Sequence, residues 1–336
     1  MKKALLLTGI ALFLIFCTAS GLYIELQNYA DTPATVESSQ EVTFNVAQGQ
    51  TLKATADMLY RKNIIKSPLK LVWIARLKGY DKNLKAGEYL LSAAMSPRQI
   101  LEIMVKGEVA LHKLTVPEGY NIYQIAELIA QAGFATQADF IRVATDAELV
   151  RKMGLVADTF EGYLFPDTYY FPKDVSLEKI ISTMVEQFQA IFVPEWRKRA
   201  KQIGFTVNQV VTLASIIEKE TGTPSERPMI SSVFHNRLKK KMRLESDPTV
   251  IYGIKNFNGN LTRKDLKTKT PYNTYQIRGL PAGPIANPGR ASLEAALYPE
   301  ETSYIYFVAK KDSTHYFSTN LQDHNRAVRK YQLGRN

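Results

Sequence analysis

Cysteine is nearly absent from this chain of 336 residues, which has Cys17 and no other. A single cysteine excludes an intrachain disulfide and a metal site built from several thiolates, so we expect stability to come from ordinary hydrophobic cores. Histidine is also scarce, with four copies, and no two of them have the close spacing of a metal-binding pair such as H-E-x-x-H. The sequence therefore predicts no metal site.

Signature motifs of other hydrolytic enzymes are missing as well. The chain has no G-x-S-x-G sequence and no phosphate-binding glycine loop. S-x-x-K occurs twice, beginning at Ser67 and at Ser176, but K-T-G is absent, and Ser246-Asp247 is followed by Pro248 rather than by the asparagine of an S-D-N motif. An acyl-serine mechanism is therefore not predicted.

Basic residues outnumber acidic ones by 43 to 32, which gives a net charge of +11. Such a balance suits an anionic polymer, a membrane surface or nucleic acid. The N-terminus argues against nucleic acid, because the segment from Ala4 to Ile24 carries no charge and at about 1.5 Å per helical residue covers roughly 30 Å, enough to cross a bilayer.

The apolar segment continues past Cys17-Thr18-Ala19, the one candidate cleavage site, and this favours an uncleaved anchor over a signal peptide. Lys2 and Lys3 precede it, which places residues 1–3 in the cytoplasm and the rest of the chain outside. We expect a single-pass protein of the cytoplasmic (inner) membrane with its main domains on the periplasmic or extracellular side.

The remaining chain is long enough for two or three domains. After a polar linker over 25–41, residues 44–65 and 114–134 repeat with an offset of seventy, matching Gly49 with Gly119 and Ala56 with Ala126. Each copy is predicted as a strand, a turn at glycine and an amphipathic helix. A weaker echo begins a helix with Ser96 as N-cap and Pro97 at its first position.

The predicted domains follow from this organisation. Residues 42–109 are predicted to form a LysM-like module, which either binds glycan or is a scaffold. Residues 110–203 are predicted to form a second strand-helix unit with a connecting region, and residues 204–336 a catalytic domain.

An acidic helix begins the last of these segments. Asn208 can cap it, and the apolar residues Val210, Leu213, Ala214 and Ile217 fall at helical spacing on one face. At about 100° per residue, Glu218 and Glu220 flank that face on opposite sides, where a carboxyl can be partly desolvated and still reach a cleft. A glutamate in such a position is most often a surface charge, and periodicity does not choose between the two.

Loops rich in glycine, proline, hydroxyls and amides follow this helix, a composition typical of rigid loops that present polar groups to a ligand. Ser215, one turn before Glu218, is placed to hydrogen-bond either the carboxyl or a backbone carbonyl. The candidate sugar-binding residues are Asp247, Thr249, Tyr252, Tyr272, Asn273, Thr274 and Asn287. All of them could instead form turns; we favour binding for Asp247 and Asn273, and turn structure for Asn287.

These motifs together resemble the endolytic murein transglycosylase (YceG-like) family over essentially the whole chain. The resemblance rests on LKAGEYLLS (84–92), EGYLFPDTYYF (161–171), LASIIEKET (213–221), SDPTVIYG (246–253), PYNTY (271–275), GLPAGPIANPG (279–289) and YFSTNLQDHN (316–325). The catalytic glutamate of the family matches Glu218. The one departure noted is Ala282, where many members have proline.

The resemblance implies an α+β protein with an N-terminal transmembrane helix, a LysM-like strand-helix module and a mixed α/β catalytic domain. It implies cleavage of the β-1,4 bond between N-acetylmuramic acid and N-acetylglucosamine within nascent peptidoglycan strands, which ends their elongation. One carboxyl, Glu218, would protonate the leaving oxygen and then deprotonate the 6-hydroxyl, without a cofactor. Implied partners are glycan strands, the membrane and peptidoglycan synthases. The alternative is a non-catalytic peptidoglycan-binding scaffold of the cell-wall synthesis machinery.

Overall fold

The computed structural model describes residues 2–37 and 40–334, except for the side chains of Lys2 and Ala4. Met1, Ser38, Ser39, Arg335 and Asn336 lie outside the described residues, so the predicted N-terminal tail, linker and C-terminal domain are each described in part. The chain forms two compact units. Unit 1 comprises residues 1–112 and 170–174, and unit 2 comprises residues 113–169 and 175–336.

The predicted membrane segment lies in one long helix, α1 (Lys2–Asp31). Its stretch from Leu5 to Asp31, which contains an 18-residue window with a mean hydropathy of 2.2, is long and apolar enough to cross a membrane. The helix continues past Ile24 into the segment predicted as linker, because Leu26 and Ala30 are buried in the core of unit 1. Asp31 also accepts a hydrogen bond of 2.6 Å from Arg98 Nε. Residues 25–31 are therefore a docked helix end.

Unit 1 combines one small sheet with short helices. Its further elements are β1 (Val42–Val46), α2 (Leu52–Arg61), α3 (Pro68–Leu77), β2 (Gly87–Leu91) and α4 (Pro97–Lys106). Strands β1 and β2 pair antiparallel with Phe44 opposite Tyr89, and both rings are fully buried. Ser96 caps α4 and Pro97 is its first residue, as predicted. This unit contains the segment predicted as LysM-like.

Unit 2 is mainly helical. Its first elements are β3 (His112–Thr115), α5 (Ile122–Gln131), α6 (Gln137–Ala144), α7 (Ala147–Lys152), β4 (Thr168–Phe171), α8 (Leu177–Ile191), α9 (Pro194–Gln202) and α10 (Val207–Glu220). They are followed by a 3-10 turn (Pro224–Glu226), α11 (Arg227–Lys239), α12 (Asp247–Tyr252), α13 (Arg263–Lys267), α14 (Arg290–Leu297), β5 (Tyr306–Ala309), β6 (His315–Ser318) and α15 (Leu321–Tyr331). The first residue of β3 and the last two residues of β4 belong to unit 1. Strand β3 pairs with β4, and β5 with β6. The chain is thus α+β, as predicted.

The internal repeat predicted from the sequence is confirmed. Each copy is a strand, a glycine with positive φ (75° at Gly49 and 76° at Gly119) and a helix, α2 or α5. Thr51 and Asn121, seventy residues apart, are the two N-caps. The buried positions also match at that offset: Leu52, Thr55, Ala56 and Leu59 in α2, and Ile122, Ile125, Ala126 and Ile129 in α5.

Helix α10 carries the predicted acidic residues and runs through the core of unit 2. The prediction of Asn208 as its N-cap is wrong: Thr206 has the extended backbone of a cap and its side chain accepts from Gln209 N, whereas Asn208 already lies within the helix. The predicted apolar face from Val210 to Ile217 is buried, but so are Val211 and Ile216. The helix is enclosed on several sides because α11, α12 and α14 all pack against it.

Gly162, in the segment after α7, lies close against α10. Its φ is +87°, and a Cβ atom placed there would lie 2.6 Å from Val211 Cγ1 and 2.7 Å from Pro284 Cγ. Neither neighbour is the far end of a flexible side chain, so only glycine fits. Gly154 has a similar φ of +76° but no atom within 4 Å of the same position.

We therefore expect Gly162→Ala to destabilise unit 2 by about 2 kcal/mol or more, through overlap added to backbone strain. Gly154→Ala, which has the strain without the overlap, should cost about 1 kcal/mol. Denaturant titration followed by Trp196 fluorescence in a Trp73→Phe background would measure both. Equal losses in the two variants would show that the contact of Gly162 with α10 is unimportant.

Candidate active site

Glu218 lies in the last turn of α10, and its carboxylate is held on both oxygens. Arg227 Nη2 donates to Oε1 at 3.2 Å, and the backbone N–H of Gly289 donates to Oε2 at 3.1 Å. Arg227 begins α11 and Gly289 directly precedes α14, so the two helices that pack against α10 deliver these donors. The side chain of Glu218 is 6% exposed. Its carboxylate therefore has a fixed orientation.

A second carboxylate, that of Glu118, lies beside the first. Glu118 follows β3, its side chain is 51% exposed, and its Oε2 atom is 3.7 Å from the same Arg227 Nη2. A Cβ atom on Gly289 would overlap the carboxyl group of Glu118, so the glycine leaves the space that this group occupies. Burial and the neighbouring charge of Glu218 raise the pKa of Glu118, although Arg227 opposes the shift.

Arg227 links the two carboxylates and is itself buried, with 9% of its side chain exposed. Its Nε atom has no hydrogen-bond partner among the residues that the structure describes. Because a guanidinium group stays protonated, the cluster holds one permanent positive charge opposite two carboxyl groups. Sequence reasoning missed both Arg227 and Glu118; the available signal for Glu118 was its position just before the turn glycine of the second repeat.

A buried carboxyl, Glu161, holds the surrounding loops together. Its Oε2 atom accepts from Ile122 N at 3.1 Å and from the Tyr252 hydroxyl at 2.9 Å, and its Oε1 atom accepts from Asn287 Nδ2 at 3.0 Å. These partners belong to the start of α5, the end of α12 and the loop before α14. Burial raises the pKa of Glu161 to about 7, against the opposing effect of these donors.

Asn287, a predicted site residue, is fully buried and connects the loop after β3 to the loop before α14. Its Nδ2 also donates to Tyr120 O at 2.9 Å, and its Oδ1 accepts from Leu164 N at 2.8 Å. Tyr252 and Tyr272, two other predicted residues, place their partly exposed rings 4.9 Å apart next to Glu161. The structure thus brings these three predicted residues together around Glu161.

The other predicted residues lie around Ser246 or in turns. Ser246 donates to Glu220 Oε1 at 2.5 Å, and the hydroxyls of Thr249 and Thr274, both fully buried, are 2.8 Å apart. Burial is the main cause that raises the pKa of Glu220. Asp247, which is exposed, accepts from the Tyr275 hydroxyl at 2.7 Å. Glu220 therefore belongs to a polar cluster separate from Glu218.

Asn273 and Ser215 make contacts with the backbone. Asn273 Nδ2 donates to the carbonyls of Asp265, Leu266 and Thr268, which closes the turn after α13. Ser215 Oγ donates to Thr212 O at 2.7 Å and accepts from Ile285 N at 3.0 Å. Of the two partners considered for Ser215, the structure shows the backbone carbonyl. Within the described part of the chain, no three His, Cys, Asp or Glu side chains are grouped as a metal site requires.

Comparison with known proteins identifies related sequences and a related structure. The sequence model of the YceG-like family matches residues 44–330. A Bacillus subtilis (strain 168) protein named endolytic murein transglycosylase is 35% identical over 320 residues, covering 90% of this chain and 88% of the relative. One of the same name from Streptococcus pneumoniae (strain D39) is 28% identical, covering 94% and 64%. A crystal structure of a YceG-like protein from Listeria monocytogenes, 38% identical, superposes with a TM-score of 0.60 over 86% of this chain and all of the other.

The raised pKa of Glu161 predicts a pH dependence of stability. Between its ordinary value of 4.5 and about 7, the folded protein keeps a proton that the unfolded chain has lost. The contribution of Glu161 is thus fully present below pH 4.5 and is lost as the pH rises to about 7. Since one pKa unit corresponds to about 1.4 kcal/mol, the loss should approach about 3 kcal/mol.

Glu161→Gln does not titrate, so this part of the decline should vanish in the variant. The measurement is the free energy of unfolding of unit 2 between pH 4 and 8, again from Trp196 fluorescence. The difference between wild type and variant isolates Glu161 from the other carboxyls. Parallel curves for the two proteins would contradict the prediction.

Proposed function

The chain belongs to the YceG-like family, and from this premise we propose that it is a murein lytic transglycosylase with Glu218 as its acid–base group. It cleaves peptidoglycan, the substrate class in the names of its relatives. The observation that carries the assignment of Glu218 is its fixed carboxylate at the end of α10, beside a half-exposed carboxyl and within the family-matched segment.

The bond cleaved in this proposal is the β-1,4 linkage from N-acetylmuramic acid to N-acetylglucosamine, inside a strand. Acid catalysis transfers a proton to the glycosidic oxygen as its bond to the anomeric carbon breaks. Base catalysis removes the proton of the 6-hydroxyl, whose oxygen closes onto the anomeric carbon. The products are a 1,6-anhydro-muramyl end and a new free 4-hydroxyl, so no water is consumed.

The surroundings of Glu218 support this chemistry better than those of Glu220. Arg227 and the Gly289 N–H fix the carboxylate of Glu218, which lowers the cost of orienting it for proton transfer. Glu220 instead accepts a hydrogen bond from Ser246 in a separate cluster. The partly exposed rings of Tyr252 and Tyr272 and the exposed Asp247 are proposed sugar contacts, since aromatic faces and carboxylates bind saccharide C–H and O–H groups.

We propose that α1 anchors the protein in the cytoplasmic membrane with residues 1–3 inside and the catalytic domain outside. The lysines before the apolar span support this orientation. An anchored enzyme acts on strands close to the membrane, where peptidoglycan synthases extend them. Cleavage there ends elongation, which makes the enzyme a terminator of nascent strands and synthases its natural partners.

Unit 1 offers an open cavity of about 580 Å³ that we propose as a glycan-binding site of the LysM-like segment. Its lining includes the exposed side chains of Asn45 in β1, Gln48 in the turn after it, and Lys173, together with the largely buried side chain of Glu88. Amides and paired charges of this kind can hydrogen-bond the N-acetyl and hydroxyl groups of a glycan.

Replacing Asn45 and Gln48 together by alanine should weaken pull-down of the protein on purified peptidoglycan sacculi by about tenfold, as expected for the loss of one or two hydrogen bonds. Both side chains are exposed, so the fold should be unaffected. Gln131→Ala, on the exposed face of α5 in unit 2, is the matched control. Unchanged binding by the double variant would make unit 1 a spacer.

Glu218→Gln keeps the shape of the side chain but cannot exchange a carboxyl proton. It should therefore reduce cleavage by at least the roughly 10²–10⁴-fold that a positioned acid–base group contributes. Glu220→Gln should retain most activity. The assay is digestion of uncrosslinked glycan strands, with 1,6-anhydro ends scored by mass spectrometry and melting temperature measured alongside.

Two results would contradict the proposal, the first of them the role of Glu218 and the second the enzyme assignment. Glu218→Gln could release anhydro ends at the wild-type rate, or the wild type could release none. In the second case the alternative of a non-catalytic peptidoglycan-binding scaffold would be favoured.

A further inference from the structure

Glu118 and Glu218 approach one guanidinium nitrogen, Arg227 Nη2, at 3.7 and 3.2 Å. We propose that Glu118 is a second catalytic carboxyl, which carries the proton given to the leaving oxygen, while Glu218 acts as the base. This inference rests on the proposed transglycosylase function and divides between two side chains the acid and base steps assigned above to Glu218 alone.

The contacts of Glu218 suit a base. Both of its oxygens accept hydrogen bonds, one from a guanidinium group and one from a backbone N–H, and neither donor can accept a proton in return. Both oxygens of Glu218 are therefore oriented as hydrogen-bond acceptors. A side chain whose oxygens act only as acceptors is placed to take the proton of the 6-hydroxyl.

The contacts of Glu118 suit an acid. Its distance of 3.7 Å to Arg227 exceeds hydrogen-bond length, so the guanidinium stabilises its charge less than that of Glu218. Burial and the negative charge of Glu218 raise the pKa of Glu118, and Arg227 only partly offsets them. Because half of its side chain is exposed, Glu118 can reach a bound strand and exchange protons with solvent.

The charges in the cluster also favour Glu118 as the acid and Glu218 as the base. Arg227 is the cation that ion-pairs with both carboxyls, and it can balance the charge of one of them. A single proton on Glu118 balances the other. Lys219, the residue after Glu218, donates to the carbonyl of Gly119 at 3.3 Å; its charge lies beside the cluster, but among the described residues it forms an ion pair with neither carboxyl.

Two features of the sequence distinguish Glu118. Gly289 lacks the Cβ atom that would overlap its carboxyl group, although the backbone of Gly289 has φ −74°, which any residue adopts. In the first copy of the internal repeat the matching position is Gln48, seventy residues earlier. The carboxyl is therefore present only in the copy that lies beside Glu218.

The step balances without another reactant. Glu118 transfers its proton to the glycosidic oxygen, the bond from that oxygen to the anomeric carbon breaks, and the 6-oxygen bonds to the same carbon. The proton of the 6-hydroxyl passes to Glu218. One proton thus moves from Glu118 to Glu218 in each turnover, and its return to Glu118 through solvent restores the pair.

The experiment compares two substrates with the full-length protein in detergent. Uncrosslinked glycan strands have a poor leaving group, whereas the 4-nitrophenyl glycoside of an oligosaccharide ending in N-acetylmuramic acid releases nitrophenolate without protonation. Glu118→Gln should cleave strands about 10²–10⁴-fold more slowly than the wild type. On the nitrophenyl substrate it should come within about tenfold of the wild type, because general-acid help is then unnecessary.

Glu218→Gln should be slow on both substrates, since the base is still required. Gly289→Ala should behave like Glu118→Gln, because the new methyl group displaces the Glu118 carboxyl while the N–H bond to Glu218 remains. Glu127→Gln, an exposed residue of α5, is the control and should match the wild type on both.

The proposal is overturned if Glu118→Gln cleaves strands at the wild-type rate, or if the nitrophenyl leaving group rescues Glu218→Gln instead. In either case wild-type production of anhydro ends would leave the proposed function standing. Absence of anhydro ends from wild-type digests would overturn the function itself.

Discussion

The site depends on two backbone hydrogen bonds that join the loop after β3 to the loop before α14. Gly119 N donates to Asn287 O at 2.9 Å, and Asn287 N donates to Tyr120 O at 2.8 Å. Glu118 and Gly289 are the neighbours of these bonds in sequence, so the pairing sets where both meet the end of α10. The side chains of Asn287 and Glu161 hold the same two loops from the buried side.

In this arrangement Glu161 is buried, whereas Glu118 beside Arg227 stays half-exposed. Donors from Ile122, Tyr252 and Asn287 and the backbone of Gly162 stabilise the charge of Glu161, yet burial outweighs them and raises its pKa to about 7. Removing the proton from Glu161 therefore destabilises the junction on which the orientation of Glu218 depends. In the proposed mechanism, stability and the orientation of Glu218 are therefore coupled through Glu161, a residue that need not touch the substrate.

Local features were predictable from the sequence because they depend on neighbouring residues. The repeat, the cap at Ser96 and the apolar face of α10 follow from glycine turns, capping residues and periodicity. The wrong cap at Asn208 shows the limit, since Thr206 two residues earlier has the same capping chemistry. The helical end of α1 was also missed, because the packing of Leu26 and Ala30 against unit 1 is a tertiary effect.

The constellation around Glu218 was not predictable from one sequence by spacing. Its members come from residues 118, 218, 227 and 289, and the loops that carry Glu118 and Gly289 are joined by a bond between Asn287 and Tyr120, 167 residues apart. The motif that begins with Glu161 and the one that ends with Gly289 were both recognised, but neither pattern shows that a buried carboxyl or a missing Cβ atom matters. Those roles depend on the packing of loops against α10.

The most direct test of the account is a crystal structure of Glu218→Gln with an uncleaved glycan strand. We expect a muramyl 6-hydroxyl within about 3.5 Å of the residue 218 amide, and the adjacent glycosidic oxygen within the same distance of Glu118. A strand bound elsewhere, or one whose glycosidic oxygens all lie beyond hydrogen-bond reach of both side chains, would contradict it.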